Sequence, residues 1–190
     1  MIPFTPRLPD TSIRISERVR LRALEPRDRD AIATILTDPD VARWYPRDED
    51  DFVSVIDEPE VTPYMVLGDD HPIGYVQAYH ANAVPFWQTH DVPEQTMGLD
   101  ILLAGADNRG RGLGPQILRI LMRRLFGMQG VVQCIIDPDP DNARAIRAYE
   151  KLGFQFGPPQ EGYEGARMVL GRLGRTDFAR TLLSLAAQGS

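Results

Sequence analysis

The chain has 190 residues, 43% hydrophobic and 25% charged, with 21 Lys+Arg against 27 Asp+Glu for a formal net charge of −6. These are the proportions of one globular domain able to build its own core, and they exclude a largely disordered chain, a collagen and a disulfide scaffold. No apolar run reaches the roughly 18 residues of a membrane span, and the proline-rich N-terminus has no apolar signal core, so the cytoplasm is the expected compartment.

Residues 1–11 read as a loose arm, and 18–22 alternates polar and apolar like a strand. Pro26 opens a helix over 27–36, with Ile32, Ile35 and Leu36 on its buried face. Asp38-Pro39 starts a turn, and 40–57 reads as irregular or short helix. Strands follow at 64–67 and 73–79, joined by a hairpin turn at 68–71, and then a loop carrying Pro85, Phe86, Trp87 and Pro93. A strand at 97–104 leads into a glycine-rich turn at 105–114 and a helix at 115–126. A buried strand at 131–136 and a helix at 141–152, ended by Gly153, come next. Short strands at 154–156 and 167–170 precede a C-terminal helix at 176–187. Strands clustered early and βα units late indicate an α+β sheet with a parallel component. The lone cysteine, Cys134, lies in the apolar run VVQCII and reads as a core residue.

The charge is unevenly placed. From Asp48 to Asn108 there are 13 acids and no Lys or Arg. Such a span suits a cationic partner, while the basic remainder suits an anion such as a phosphorylated cofactor; a merely solvated acidic surface is the alternative. Duplex nucleic acid is disfavoured for want of a basic stripe.

Asn108-Arg109-Gly110-Arg111-Gly112-Leu113-Gly114 lies between a predicted strand and a predicted helix. A helix start offers unpaired amides to an anion, and glycines let the backbone wrap closely around it. A plain tight turn is the alternative. The turn lacks the Gly-Lys-Ser/Thr ending of a Walker loop and the spacing of a dinucleotide-binding turn.

Arg109-x-x-Gly112-x-Gly114 resembles the acetyl-CoA pyrophosphate loop of the GNAT superfamily of N-acyltransferases. Asn142-Ala-Arg-Ala-Ile-Arg-Ala-Tyr149-Glu-Lys-Leu-Gly153-Phe154 resembles that superfamily's second hallmark. Val61-Thr-Pro-Tyr64, Pro72-Ile-Gly-Tyr75-Val-Gln77-Ala-Tyr79, Gly98-Leu-Asp100-Ile-Leu-Leu-Ala104 and Asp137-Pro-Asp-Pro140 are similar to the aminoglycoside 6'-N-acetyltransferases, with the likeness running from about Arg20 to Leu170. One departure is Pro115, which follows Gly114 and supplies no amide.

The resemblance implies a GNAT fold. That is a mixed, mostly antiparallel sheet with helices on both faces and a splayed parallel pair, here 97–104 and 131–136. One domain would hold an acceptor half at about 18–96 and an acetyl-CoA half at 97–157. It also implies a reaction in which an amine attacks the acetyl group of acetyl-CoA in a ternary complex. Asp100, a charge placed mid-strand, becomes the candidate base, the alternative being a structural Asp that pairs with an Arg or caps a turn. Tyr149 becomes the candidate acid for the leaving thiolate, the alternative being core packing. The cofactor set is Leu102, Leu103, Arg109, Gly110, Arg111, Gly112, Leu113, Gly114, Asn142 and Tyr149. Asn142 also suits a helix N-cap.

For the acceptor, Trp44, Tyr45, Tyr64, Tyr79 and Trp87 are candidates to stack on sugar rings. Asp100, Asp137 and the acids of 48–60 are candidates to hold ammonium groups. Asp137 alternatively caps the following helix. The three histidines show no metal-ligand spacing, so no metal is expected. A cationic aminoglycoside is the leading acceptor. Hydroxylysine of siderophore pathways, a polyamine or a protein amine is the rival, and a non-catalytic acyl-CoA- or antibiotic-binding module is the reading from another class. The expected assembly is a monomer or homodimer, with no nucleic-acid or membrane partner.

Overall fold

A computed structural model describes residues 6–188. The strands are β1 (Ile13–Arg14), β2 (Val19–Ala23), β3 (Val61–Gly68), β4 (His71–His80), β5 (Thr96–Leu103), β6 (Gln133–Ile136), β7 (Gln155–Glu161) and β8 (Arg167–Gly174). The helices are α1 (Arg29–Leu36), α2 (Pro39–Trp44), α3 (Glu49–Val53), α4 (Pro85–Gln88), α5 (Leu113–Gly127), α6 (Ala143–Glu150) and α7 (Arg175–Gln188). The sheet order is β1-β2-β3-β4-β5-β6-β8-β7. The fold is the expected mixed α+β sheet.

The chain forms two compact units, and β5 and α5 each contribute to both. One unit comprises 7–79 and 99–121. Here β1, β2, β3 and β4 are antiparallel neighbours. A two-residue turn joins β3 to β4, with Asp69 and Asp70 both at positive φ, as a tight hairpin requires. Arg18 and Arg20 reach these two acids, at Nε–Oδ1 distances of 3.0 Å in each case. Strand alternation puts Met65, Leu67, Tyr75 and Leu102 on one face. There they form a core with Leu24, Ile32 and Ile35, Val41 of α2 and Phe52 of α3. The expected burial of Ile32 and Ile35 holds. β4 and β5 approach closely at Gly74, where a Cβ would stand 2.3 Å from the Leu102 carbonyl oxygen.

The expected loose arm meets the structure in two parts. Residues 1–5 lie outside the described residues. From residue 7 on the arm is exposed but anchored: Leu8 is buried, and the Pro9 carbonyl accepts the Tyr64 hydroxyl at 2.7 Å.

The other unit holds Pro6, 80–98 and the chain from Met122 onward. β5 and β6 run parallel but pair only through Thr96–Gln133, Met97–Cys134 and Gly98–Ile135. This short pairing is the splayed parallel pair. β8 lies antiparallel to β6 and β7. β7 is longer than its sequence suggests, because Gly157-Pro158-Pro159 reads as a break. As the outermost strand it tolerates prolines, and a register shift between Phe156 and Pro159 absorbs them. Cys134 is fully buried, and burial pushes its thiol well above the usual range, which fits a core residue.

Candidate active site

The glycine turn has the backbone geometry that an anion site requires. Gly110 and Gly112 both take positive φ, and a Cβ at either would meet nothing within 4 Å, so the turn presents an open face. The first intrahelical bond of α5 runs from the Gln116 N–H to the Gly112 carbonyl, 3.0 Å. The amides of Gly112, Leu113 and Gly114 precede that bond and have no acceptor within the helix. α5 begins two residues before the expected start, so Pro115 falls inside its first turn, where a missing N–H breaks no helical bond. Arg111 is exposed and only loosely paired with Asp107 at 3.5 Å, so its charge stands available. A glycine backbone at positive φ, helix-start amides without a helical acceptor and an exposed guanidinium fit a pyrophosphate.

Arg109 does something different from its expected contact with the anion. Its guanidinium is turned inward, Nη1 2.8 Å from Asp38 Oδ1 and 3.1 Å from the Leu103 carbonyl, with Nε 3.1 Å from Asp40. Asp38 in turn accepts the Gly105 N–H at 2.8 Å and caps α2 through the amides of Asp40 and Val41. Burial would push the Asp38 carboxyl up, but the bonds from Gly105, Arg109 and Val41 outweigh it and hold Asp38 below the usual carboxylate range. Arg109 therefore anchors the loop from beneath. The expected turn at Asp38-Pro39 is the capped start of α2, and its partner across the fold was not legible.

Asp100 lies on β5 on the same face as Leu102, partly open to solvent. Its Oδ2 accepts the Gln77 side-chain amide at 2.6 Å, and the Gln77 carbonyl oxygen accepts the Tyr75 hydroxyl at 2.6 Å. Burial pushes the Asp100 carboxyl up, and the Gln77 bond and the Arg47 charge pull against that rise. Burial and the neighbouring Asp100 push the Tyr75 hydroxyl well up. The alternative of a turn-capping Asp is set aside, since Asp100 sits mid-strand. Gln77, Tyr75 and Arg47 are absent from the sequence-based set. Only the alternation of Tyr75, Gln77 and Tyr79 on one face of β4 could have flagged the first two.

Tyr45 lies nearby and donates to the Ile101 carbonyl at 3.3 Å, while Trp44 stacks with Arg43, whose guanidinium stands 4.5 Å from the ring centre. Tyr79 shares the Tyr75 face. Tyr64 does not: it pairs with Val76 and turns to the opposite face, fully buried with its hydroxyl on Pro9. Placed there, Tyr64 is a core residue, which corrects its expected place beside the acceptor. The acid-rich span is also less free than its composition implies. Glu49 and Asp50 pair with Arg29, and Asp48 caps α3.

Tyr149, Asn142, Asp137 and Trp87 belong to the other unit. Asn142 caps α6, its Oδ1 accepting the Ala145 N–H at 3.1 Å. Asp139 closes the preceding turn on the Asp141 N–H at 2.7 Å, and the N-cap position of α6 belongs to Asn142. Helix α6 ends in a Schellman motif. The N–H of Phe154 returns to the Tyr149 carbonyl and that of Gly153 to the Glu150 carbonyl. Gly153 supplies the left-handed residue at φ 100°, and the Phe154 and Tyr149 rings close the motif with centroids 6.2 Å apart. Trp87 is buried against Phe86 and His90. Among the described residues no group of three or more His, Cys, Asp or Glu could hold a metal, and no helix is long and apolar enough to cross a membrane.

The acetyltransferase (GNAT) domain family matches residues 25–161. Aminoglycoside N(6')-acetyltransferase type 1 of Klebsiella pneumoniae is 41% identical over 95 residues, 50% of this chain and 47% of that protein. The matched stretch thus spans about half the length of that curated relative. A kanamycin resistance protein of Rhizobium radiobacter is 41% identical over 69 residues, 36% of this chain and 64% of that one. The solved aminoglycoside acetyltransferase AAC(6')-Ib in complex with coenzyme A and kanamycin superposes with a TM-score of 0.75 at 32% identity, over 86% of this chain and 98% of that one. With the strand, open glycine turn and helix in the expected order, the chain belongs to the GNAT acetyltransferase family.

Proposed function

We propose that the protein is an acetyl-CoA-dependent N-acetyltransferase that acetylates a primary amine of a cationic aminoglycoside, of the 6'-N type. The observation that carries the reading is Asp100, a carboxylate fixed at one oxygen by Gln77 and made more basic by burial. It stands on the strand leading into an anion-binding turn. The identity to an enzyme solved with coenzyme A and kanamycin supports the acceptor class.

Acetyl-CoA, when bound, supplies a thioester carbonyl to be attacked. The backbone of Gly110 to Gly114, with Arg111, holds its pyrophosphate; Arg109 and Asp38 keep that turn in shape. Asn142, which caps α6, and the backbone around Leu102 and Leu103 are the remaining groups assigned to the cofactor. Asp100 orients the acceptor ammonium and takes its proton, directly or through water, so that the nitrogen lone pair can form the C–N bond. The C–S bond then breaks, and Tyr149 gives its proton to the thiolate. Trp44 and Tyr45 offer aromatic surface to the sugar rings, while Tyr79 is buried, and Asp137 offers a second carboxylate.

The test is CoA release from acetyl-CoA across a panel of kanamycin-class aminoglycosides, spermidine, hydroxylysine and an N-terminal peptide, with the acetylated position read by NMR. Saturable turnover on the aminoglycosides, at the 6' amine, is the expected result. Turnover confined to another amine would overturn the acceptor and leave the fold and chemistry standing.

A further inference from the structure

We infer that Gln77 and Tyr75 are positioning residues that hold Asp100 in the orientation a base needs, through a one-way chain of hydrogen bonds from Tyr75 to Gln77 to Asp100; this rests on the reading of Asp100 as the base.

Donor and acceptor counting fixes the direction of the chain. An ionised carboxylate only accepts, so the Gln77 group 2.6 Å from Asp100 Oδ2 is its amide N–H. That leaves the Gln77 carbonyl oxygen facing Tyr75, 2.6 Å away, and the phenol must donate. A glutamine alone could present either end of its amide. The buried phenol, itself held edge-on to Phe52 with ring centroids 4.9 Å apart, selects one. The three residues lie on the sheet face that carries Leu102, and the Tyr75 ring belongs to the same core.

The chain does two things for the chemistry. It occupies Oδ2, so that Oδ1 is the oxygen turned over to the acceptor. It also stabilises the ionised carboxylate, which opposes the desolvation acting on the same group. When Oδ1 takes the proton from the amine, Oδ2 still accepts from Gln77, so neither the glutamine nor the tyrosine has to turn during the reaction. The charged and titratable groups acting on Asp100 are Tyr75 on β4 and Arg47 beyond α2. None of the three substitutions below alters Arg47.

The experiment is the pH profile of kcat/KM for kanamycin, measured on the intact protein as wild type, Gln77→Leu, Tyr75→Phe and Asp100→Asn. Folding is checked by far-UV circular dichroism. Removing the donor disfavours ionised Asp100, so activity must rise through a more alkaline limb. Gln77→Leu is expected to lose about tenfold at the acid end relative to wild type, and to recover toward it at the alkaline end. Tyr75→Phe, which keeps the ring against Phe52, is expected to show the same pattern more weakly, and it carries the test alone if Gln77→Leu does not fold. A loss equal at every pH in the folded variants overturns the inference, because packing alone would then explain both residues. An acid limb that persists in Asp100→Asn overturns the base itself, a different outcome from an acid limb that depends on Asp100 and ignores Gln77 and Tyr75.

Discussion

The Arg109 guanidinium and the Asp38 carboxylate, 71 residues apart in the chain, meet beneath the glycine turn with Nη1 2.8 Å from Oδ1. Both side chains are largely shielded, 17% and 15% exposed, so the pair is stronger than a surface ion pair. It ties the cap of α2 to the loop that starts α5. Arg109→Ala should leave the loop tethered only by the Gly105 amide. The expected outcome is a rise in KM for acetyl-CoA of about tenfold with a smaller change in kcat, read from initial rates.

Asp38 also makes the fold acid-sensitive. Its carboxyl is held below the usual range, so its stabilisation is complete above the unfolded value of about 3.9 and is lost as pH falls through the lower folded value. Urea unfolding from pH 6 to pH 3 should therefore show a steeper acid loss in wild type than in Asp38→Asn. Equal slopes would remove Asp38 as the source.

Asp100 carries the opposite sign. Its folded carboxyl is raised by burial, so holding it ionised near neutrality costs stability. Asp100→Asn should then be at least as stable as wild type at pH 7 while losing about 100-fold or more in kcat/KM. A thermal melt beside a rate measurement checks both halves. A fall in Tm with activity retained would make Asp100 a structural residue.

Tyr149→Phe keeps the ring contact with Phe154 and removes only the hydroxyl. A thiolate is a fair leaving group, so kcat should fall by about 10- to 100-fold without vanishing. An unchanged kcat would remove the acid role and leave Tyr149 to the helix end it closes.

Gly153→Ala tests that helix end. The residue sits at φ 100°, and an added Cβ would stand 2.5 Å from Thr181 Oγ1 on α7. The expected cost is about 2 kcal/mol, a Tm lower by about 6 °C. A change under 1 °C would mean that the motif relaxes.

The sequence made the local devices readable. Gly110, Gly112 and Gly153 announced turns and a helix end, Asn142 announced a helix start, and the alternation in 73–79 announced β4; Asp38-Pro39 read as a turn and proved to start α2. What it could not show were relations across the fold. Arg109 was read as a charge for the anion because nothing local reveals Asp38 beneath it. Tyr64 was grouped with the acceptor aromatics because composition does not say which face a strand residue takes; a single register choice sends it into the core. Gln77 escaped notice because its role exists only through Tyr75 on one side and Asp100 on the neighbouring strand. The acids of the base-free span likewise looked free until Arg18, Arg20 and Arg29 reached them from outside it.

CoA release from acetyl-CoA with kanamycin, wild type beside Asp100→Asn, decides whether the protein is an aminoglycoside acetyltransferase with Asp100 as its base. Saturable turnover in wild type and its near-complete loss in the folded variant are the expected results. Turnover of equal size in both would contradict that assignment.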